Sequence, residues 1–242
     1  MSIIPCRDRI IVAIDTNDIV ICKRLISSLK DHIKIFKVGS ELFTSCGKEA
    51  VSLIHASGAR CFLDLKFHDI PNTVANASQI ACRLGVFMFN VHASGGIKMM
   101  RAARDAVAGE AEKRGLDKPM ILAVTVLTSV SQEELGQDLG VTRALDDQVV
   151  HLAQMAKEAG LDGVVASAKE LRMIKKKVGD DFKVVTPGIR PAWYSNQDQA
   201  RVVTPREAFT TGADYIVVGR PITASANPVA SAEKIIRELD AT

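Results

Sequence analysis

The chain has 242 residues, enough for one or two domains and a large core, and 47% of them are apolar. That apolar share with charges of both signs excludes a disordered chain, and apolar runs no longer than 120–127 exclude a bilayer-spanning helix. A formal net charge of +3, sparse aromatic residues and no long basic run give no footprint for nucleic acid; Lys175-Lys176-Lys177 is most simply a solvated helix end.

Taken in order, short β-rich runs alternate with longer helical patterns from end to end. The strand candidates are 9–15, 35–39, 61–66, 87–92, 120–127, 163–167, 183–188 and 215–220. A helix-compatible segment follows each, as at 18–30, 41–57, 71–84, 98–113, 143–159 and 229–239. Repeated βα order predicts parallel strands joined by crossover helices, and eight units in one domain spanning 1–242 predict an α/β fold of the (β/α)8 type. A doubly wound open sheet fits less well, because the strand count is high and no GxGxxG follows a strand. The N-terminus lacks an apolar signal core, since its first apolar run, Ile10 to Ile14, ends in Asp15. Cys6, Cys22, Cys46, Cys61 and Cys82 are odd in number and form no CxxC pair or zinc spacing. They are expected to be reduced thiols of a cytosolic protein, not ligands of a metal cluster.

The most informative stretch is Asp64-Leu65-Lys66-Phe67-His68-Asp69-Ile70-Pro71-Asn72-Thr73. Cys61-Phe62-Leu63 before it reads as a buried strand, and Pro71 suits the first turn of a helix. Asp64 and Lys66 then stand at a strand end, with Asp69 in the loop beyond. Alternation predicts that Phe62, Asp64 and Lys66 share one face. An ammonium beside a carboxylate is costly inside a core unless paired, but at an open strand end it makes a charged site. The triplet alone fits a structural ion pair as well as a catalytic one.

In a (β/α)8 barrel the strand C-termini carry the active site. Here they present Asp15, Lys37, Asp64, Lys66, His92, Thr128, Ser167, Gly188, Arg190, Gly219 and Arg220. So many charges at strand ends point to an enzyme. Each has a plainer role open to it: Asp15 can cap the following helix, Lys37 can extend along the rim, and Gly95-Gly96 can hold a tight turn. His92 is either a structural histidine or a pocket wall, and His68 reads as a loop residue. The loops after the last two strands, Thr186-Pro187-Gly188-Ile189-Arg190-Pro191 and Val218-Gly219-Arg220-Pro221-Ile222, suit a phosphate. The polar stretch 191–203 is long for a βα loop and reads as a lid or as an idle surface loop.

Together these residues resemble the orotidine 5′-phosphate decarboxylases. The resemblance runs from Val12-Ala13-Ile14-Asp15 through Lys37-Val38-Gly39 and the 64–73 block to the two phosphate loops. Asp-x-Lys-x-x-Asp is shared with related barrel decarboxylases and aldolases; Lys37, Thr128, Arg190, Gln199 and Gly219-Arg220 make the match specific. The resemblance implies a carboxy-lyase that converts orotidine 5′-phosphate to UMP, the last step of de novo pyrimidine nucleotide synthesis. It implies a cytoplasmic homodimer with shared active sites and no metal or organic cofactor. By the same resemblance, Lys37, Asp64, Lys66 and Asp69 form the charged catalytic tetrad, with Lys66 the acid and Asp69 acting in the neighbouring subunit's site. Ile70 and Thr73 lie in that crossing loop. Asp15 is implied as a ribose ligand, and Thr128 and Ser129 as pyrimidine contacts. Arg190, Gln199, Gly219 and Arg220 are implied at the phosphate, and Pro187 among the substrate-binding residues. A Mg2+-dependent sugar-phosphate decarboxylase or aldolase of the same barrel type is the alternative enzyme, although many of these carry an acidic residue where Lys37 stands. A silent nucleotide-binding barrel is the alternative outside enzymes.

Overall fold

The computed structural model describes residues 5–194 and 203–240. Its strands are β1 (Ile10–Ile14), β2 (Ile35–Gly39), β3 (Arg60–Phe67), β4 (Met88–His92), β5 (Met120–Val124), β6 (Gly163–Val165), β7 (Lys183–Thr186) and β8 (Tyr215–Val218). They form a closed barrel in chain order, and the described pairings are parallel. The helices are α1 (Ile19–Leu29), α2 (Ser40–Cys46), α3 (Lys48–Ala56), α4 (Pro71–Arg83), α5 (Gly96–Arg114), α6 (Gln132–Gln137), α7 (Leu145–Glu158), α8 (Leu171–Val178), α9 (Pro205–Thr211), α10 (Arg220–Thr223) and α11 (Pro228–Asp240). This is the (β/α)8 architecture that the alternating pattern predicts.

Two compact units divide the chain. The first comprises residues 1–65, 86–88 and 186–242, and the second 66–85 and 89–185. In the first, all five residues of β1 and all five of β2 are buried, as expected of parallel strands covered on both faces. Their register pairs Ala13 with Lys37, and that of β2 with β3 pairs Lys37 with Phe62 and Gly39 with Asp64. In the second, Gly163 pairs with Lys183, and a Cβ on Gly163 would stand only 2.3 Å from the Lys183 carbonyl oxygen. Glycine is what lets β6 and β7 close up there. Also in the second unit, the Glu110 side chain on α5 is only 4% exposed and bonds Arg83 of α4 at 2.6 Å and Arg114 one turn on. The Arg83 guanidinium is the main reason that the Glu110 carboxyl is held down at about 2.

Local chemistry explains where the helices start and where the expected boundaries differ. Asp18, not Asp15, caps α1, its Oδ1 accepting the Val20 N–H at 2.7 Å. Ser131 with Glu134 and Thr204 with Glu207 form reciprocal capping boxes at α6 and α9. Pro71 opens α4 as expected. The helix expected over 41–57 is two helices, because Gly47 takes φ 57 and ψ −143 between them. Strands expected to reach residues 127, 167, 188 and 220 stop at Val124, Val165, Thr186 and Val218. The residues beyond them belong to loops or, at Arg220, to the first turn of α10.

Candidate active site

Lys37 is the centre of the first unit's charged cluster. It sits mid-strand and is 9% exposed, so its ammonium must be satisfied inside the fold. Its Nζ lies 3.2 Å from Asp15 Oδ1 and 3.2 Å from Asp64 Oδ2. The register explains this bracket. Lys37 pairs laterally with Ala13 and Phe62, and each carboxylate stands two residues further along its neighbouring chain segment. A long side chain leaning toward the strand ends therefore meets both. Gly39 makes room: a Cβ there would meet Lys37 Nζ at 3.0 Å. Asp15 is thus a member of the cluster, and the helix-cap alternative for it does not hold. Gly219 flanks the same carboxylate, a Cβ there coming within 3.6 Å of Asp15 Oδ2.

Lys66 follows Asp64 by two residues on β3 but departs from regular strand geometry. Its φ is 52°, and among the described residues it is the one non-glycine residue with positive φ. Strict period-two alternation therefore ends at Lys66, which corrects the expectation that Phe62, Asp64 and Lys66 form one regular row. A lysine in the left-handed region is sterically unfavourable and persists only where its surroundings impose it. Here the Lys66 N–H donates to the Oδ1 of Asn90 at 2.8 Å. Asn90 is not among the residues that the sequence pattern singles out. The available signal is an amide between the apolar residues Phe89 and Val91 of the strand Met88-Phe89-Asn90-Val91-His92, on the same alternating face as His92.

Beyond Lys66 the chain surfaces. His68, Asp69, Ile70 and Thr73 are exposed, Ile70 to 66%. Asp69 Oδ1 accepts the Ile70 N–H at 2.6 Å, which fixes the turn before α4. His92 is half-buried and its ring centroid lies 5.4 Å from that of His68. Thr128 and Ser129 are exposed in a turn closed by the Val130 N–H on the Leu127 carbonyl, 2.9 Å.

The end of β7 and the loop after it are buried where they carry polar groups. Thr186 is 0% and Arg190 5% exposed, yet Thr186 Oγ1 and Arg190 Nη1 find no hydrogen-bond partner among the described residues. Buried polar atoms are rarely left so without a reason. Pro187 is half-buried, Gly188 turns the chain at φ 75, and the Arg190 N–H bonds the Val203 carbonyl at 3.1 Å. Arg220 is exposed at the start of the short α10. Gln199 lies outside the described residues. Among the described residues no group of three or more His, Cys, Asp or Glu side chains is placed to hold a metal ion. No helix there is long and apolar enough to cross a membrane.

One further acid lies at the strand-end side, in the loop between β6 and α8. Glu170 is 8% exposed and accepts the Ser167 N–H at 2.9 Å. Burial pushes its carboxyl up to about 7, Asp146 adds to the rise, and the Ser167 N–H opposes it. The folded chain therefore holds a proton on Glu170 that the unfolded chain, with an ordinary value near 4.5, has released. Folding stability from this group is fully present below pH ~4.5 and falls by about 3 kcal/mol as pH rises through ~7. Glu170→Gln keeps an acceptor for Ser167 without the charge. It is expected to stabilise the protein at pH 8 and not at pH 4, as measured by urea unfolding at both.

A closed parallel barrel with an alternating lysine–carboxylate cluster at its strand ends defines the class of protein: a (β/α)8-barrel enzyme. Comparison narrows the class. Residues 8–235 match the Orotidine 5′-phosphate decarboxylase / HUMPS family. A relative from Syntrophomonas wolfei, named orotidine 5′-phosphate decarboxylase, is 52% identical over 97% of this chain and 98% of its own length. One of the same name from Moorella thermoacetica is 50% identical over 97% and 93%. The crystal structure of orotidine 5′-phosphate decarboxylase from Lactobacillus acidophilus superposes with a TM-score of 0.85, at 38% identity over 96% of this chain and 99% of that one. The chain belongs to the orotidine 5′-phosphate decarboxylase / HUMPS family.

Proposed function

We propose that this chain decarboxylates orotidine 5′-phosphate to UMP in pyrimidine nucleotide synthesis, with no metal or organic cofactor and with Lys66 protonating C6. The observation that carries the reading is the cluster itself. A buried ammonium, Lys37, is held between two carboxylates, and a second lysine with constrained backbone follows Asp64 on the same strand. Relatives named for this reaction, about half identical over nearly the whole chain, support it.

Loss of CO2 from C6 of the pyrimidine leaves an electron pair with little delocalisation. Lys66 supplies a fixed positive charge at that carbon and then the proton. Asp64 faces the departing carboxylate, and their like charges are relieved as CO2 leaves. Lys37 keeps Asp64 and Asp15 in register, and its ammonium takes the space between them that a divalent ion would need. Asp15 holds a ribose hydroxyl, and Thr128 and Ser129 contact the pyrimidine. The phosphate satisfies the buried Arg190 and Thr186 groups, with Pro187, Gly219, Arg220 and Gln199 completing its grip. Such remote contacts matter because barrier reductions for slow uncatalysed reactions reach about 20 kcal/mol, beyond what one lysine supplies. Residues 1–242 act as one catalytic domain in a cytoplasmic homodimer, in which Asp69, Ile70 and Thr73 complete the partner's site.

Ultraviolet absorbance of orotidine 5′-phosphate with purified enzyme, with and without a chelator, tests the reading. Turnover unchanged by chelation is expected. No turnover would overturn the assignment, and loss on chelation with recovery on Mg2+ would favour the metal-dependent alternative. Arg220→Ala is expected to weaken phosphorylated substrate by about 2–4 kcal/mol, the scale of a charge-assisted contact. The same change should hardly alter the slow turnover of orotidine lacking phosphate. Equal loss on both substrates would remove Arg220 from the phosphate site.

A further inference from the structure

We propose that Asn90 is a positioning residue for the proton donor: its side-chain oxygen holds the Lys66 backbone in the left-handed conformation that aims the ammonium. This rests on the reading of Lys66 as the acid.

Three observations meet at this point. Asn90 is the middle residue of β4 and is 0% exposed, so a primary amide has been placed among the buried apolar residues Met88, Phe89 and Val91 of that strand. Such a group is retained at a cost unless it makes strong hydrogen bonds. One of those bonds is the 2.8 Å contact from the Lys66 N–H. A backbone N–H can only donate, so the amide oxygen must face it. Finally, Lys66 is the single non-glycine residue with positive φ among the described residues. In a regular strand the N–H would donate to a backbone carbonyl of a neighbouring strand. At Lys66 it donates instead to a side chain rooted in the middle of β4.

The consequence for chemistry is geometric. The Cα–Cβ direction of Lys66 is set by its φ, and the ammonium stands at the end of a long, flexible stem. Relaxation of φ toward the ordinary extended region would swing that stem away. Misplacement of a reacting group by about 1 Å can cost about 100-fold in rate. The same strand steadies the turn at a second point, since His92, two residues after Asn90, packs its ring against His68, two residues after Lys66. Asn90 itself need touch no substrate; it acts through Lys66.

The test compares Asn90→Ala, which removes the acceptor, with Asn90→Asp, which keeps an oxygen in its place. Three readings are taken per folded site: kcat for orotidine 5′-phosphate, exchange of the C6 hydrogen of UMP for deuterium, and the Kd of UMP. For Asn90→Ala, kcat and C6 exchange are expected to fall together by about 10- to 100-fold, while the Kd of UMP stays within about threefold. Asn90→Asp should restore most of both rates. A purely structural role would lower the thermal midpoint and the yield of folded protein and leave C6 exchange per site unchanged. If alanine does not give folded protein, Asn90→Ser carries the same expectation, because its shorter side chain cannot reach the Lys66 N–H. The proposal is overturned if a folded Ala or Ser variant keeps kcat and C6 exchange within threefold of wild type, or if Asp loses as much as Ala. Turnover that persists in Lys66→Ala would instead refute the reading beneath it, whatever Asn90 does.

Discussion

Lys66→Ala is expected to abolish decarboxylation while leaving UMP binding measurable. If Lys66 is the acid, two separate contributions vanish with its ammonium. A positioned general acid is worth about 10²- to 10⁴-fold, and a preorganised charge at the site of developing charge about another 10²- to 10³-fold. The combined loss should reach about 10⁴-fold or more in kcat, although groups acting as a unit do not add simply. Binding of UMP should survive because the proposed grips on phosphate and ribose lie elsewhere, at the buried Arg190 and Thr186 groups and at Asp15. Alanine at this position keeps the N–H that Asn90 accepts, so the local turn is preserved as far as that bond fixes it. Stopped absorbance assays at high enzyme concentration, with calorimetric titration of UMP, separate the two effects. Near-normal turnover would remove Lys66 from the role of acid, and loss of UMP binding together with turnover would mean that the site itself had collapsed.

Part of the site is legible in the sequence because charge in an apolar strand is an anomaly that needs a cause. Lys37 between Phe36 and Val38 predicts a carboxylate partner, and two stand at 3.2 Å. The barrel is legible for a similar reason: eight apolar runs, each followed by helical periodicity, admit few topologies. Backbone detail is what the pattern cannot supply. Nothing in Leu65-Lys66-Phe67 signals a left-handed residue, since glycine or asparagine would be the usual marker and lysine is neither. The supporting amide, Asn90, lies 24 positions away, and only the fold brings it to Lys66. Both acidic residues of the Asp15–Asp18 segment suit a helix cap, and the hydrogen bonds decide for Asp18. The 41–57 segment is apolar at helical spacing across Gly47, so periodicity joins two helices that the glycine's φ of 57 separates. Strand patterns overrun at Val126 and Leu127 and at Ala166 and Ser167, where the pattern continues into loops that carry candidate site residues.

Mixing two dead variants is expected to restore activity, because each active site is proposed to draw Asp69 from its neighbour. The motivation is local as well as familial. Asp69 lies three residues past Lys66 in an exposed turn that leads into Pro71 of α4, next to an Ile70 that is 66% exposed in the single chain. An isoleucine held outward beside a catalytic-type carboxylate suits a contact with a second copy, and a closed two-fold dimer would use the turn twice. Lys66→Ala and Asp69→Asn are each expected to be nearly inactive alone. After dissociation and mixing in equal amounts, random pairing makes about half of the dimers mixed. In a mixed dimer with Asp69 acting in trans, one site carries both lesions and the other carries neither. Roughly a quarter of all sites should therefore recover full activity. If Asp69 serves its own chain, every site keeps one lesion and mixing restores nothing. Tagging one variant and recovering mixed dimers by affinity confirms that subunits have exchanged. Mixed dimers with no gain in activity would rule out the shared site while leaving untouched the proposal that the chain is a decarboxylase with Lys66 as its acid.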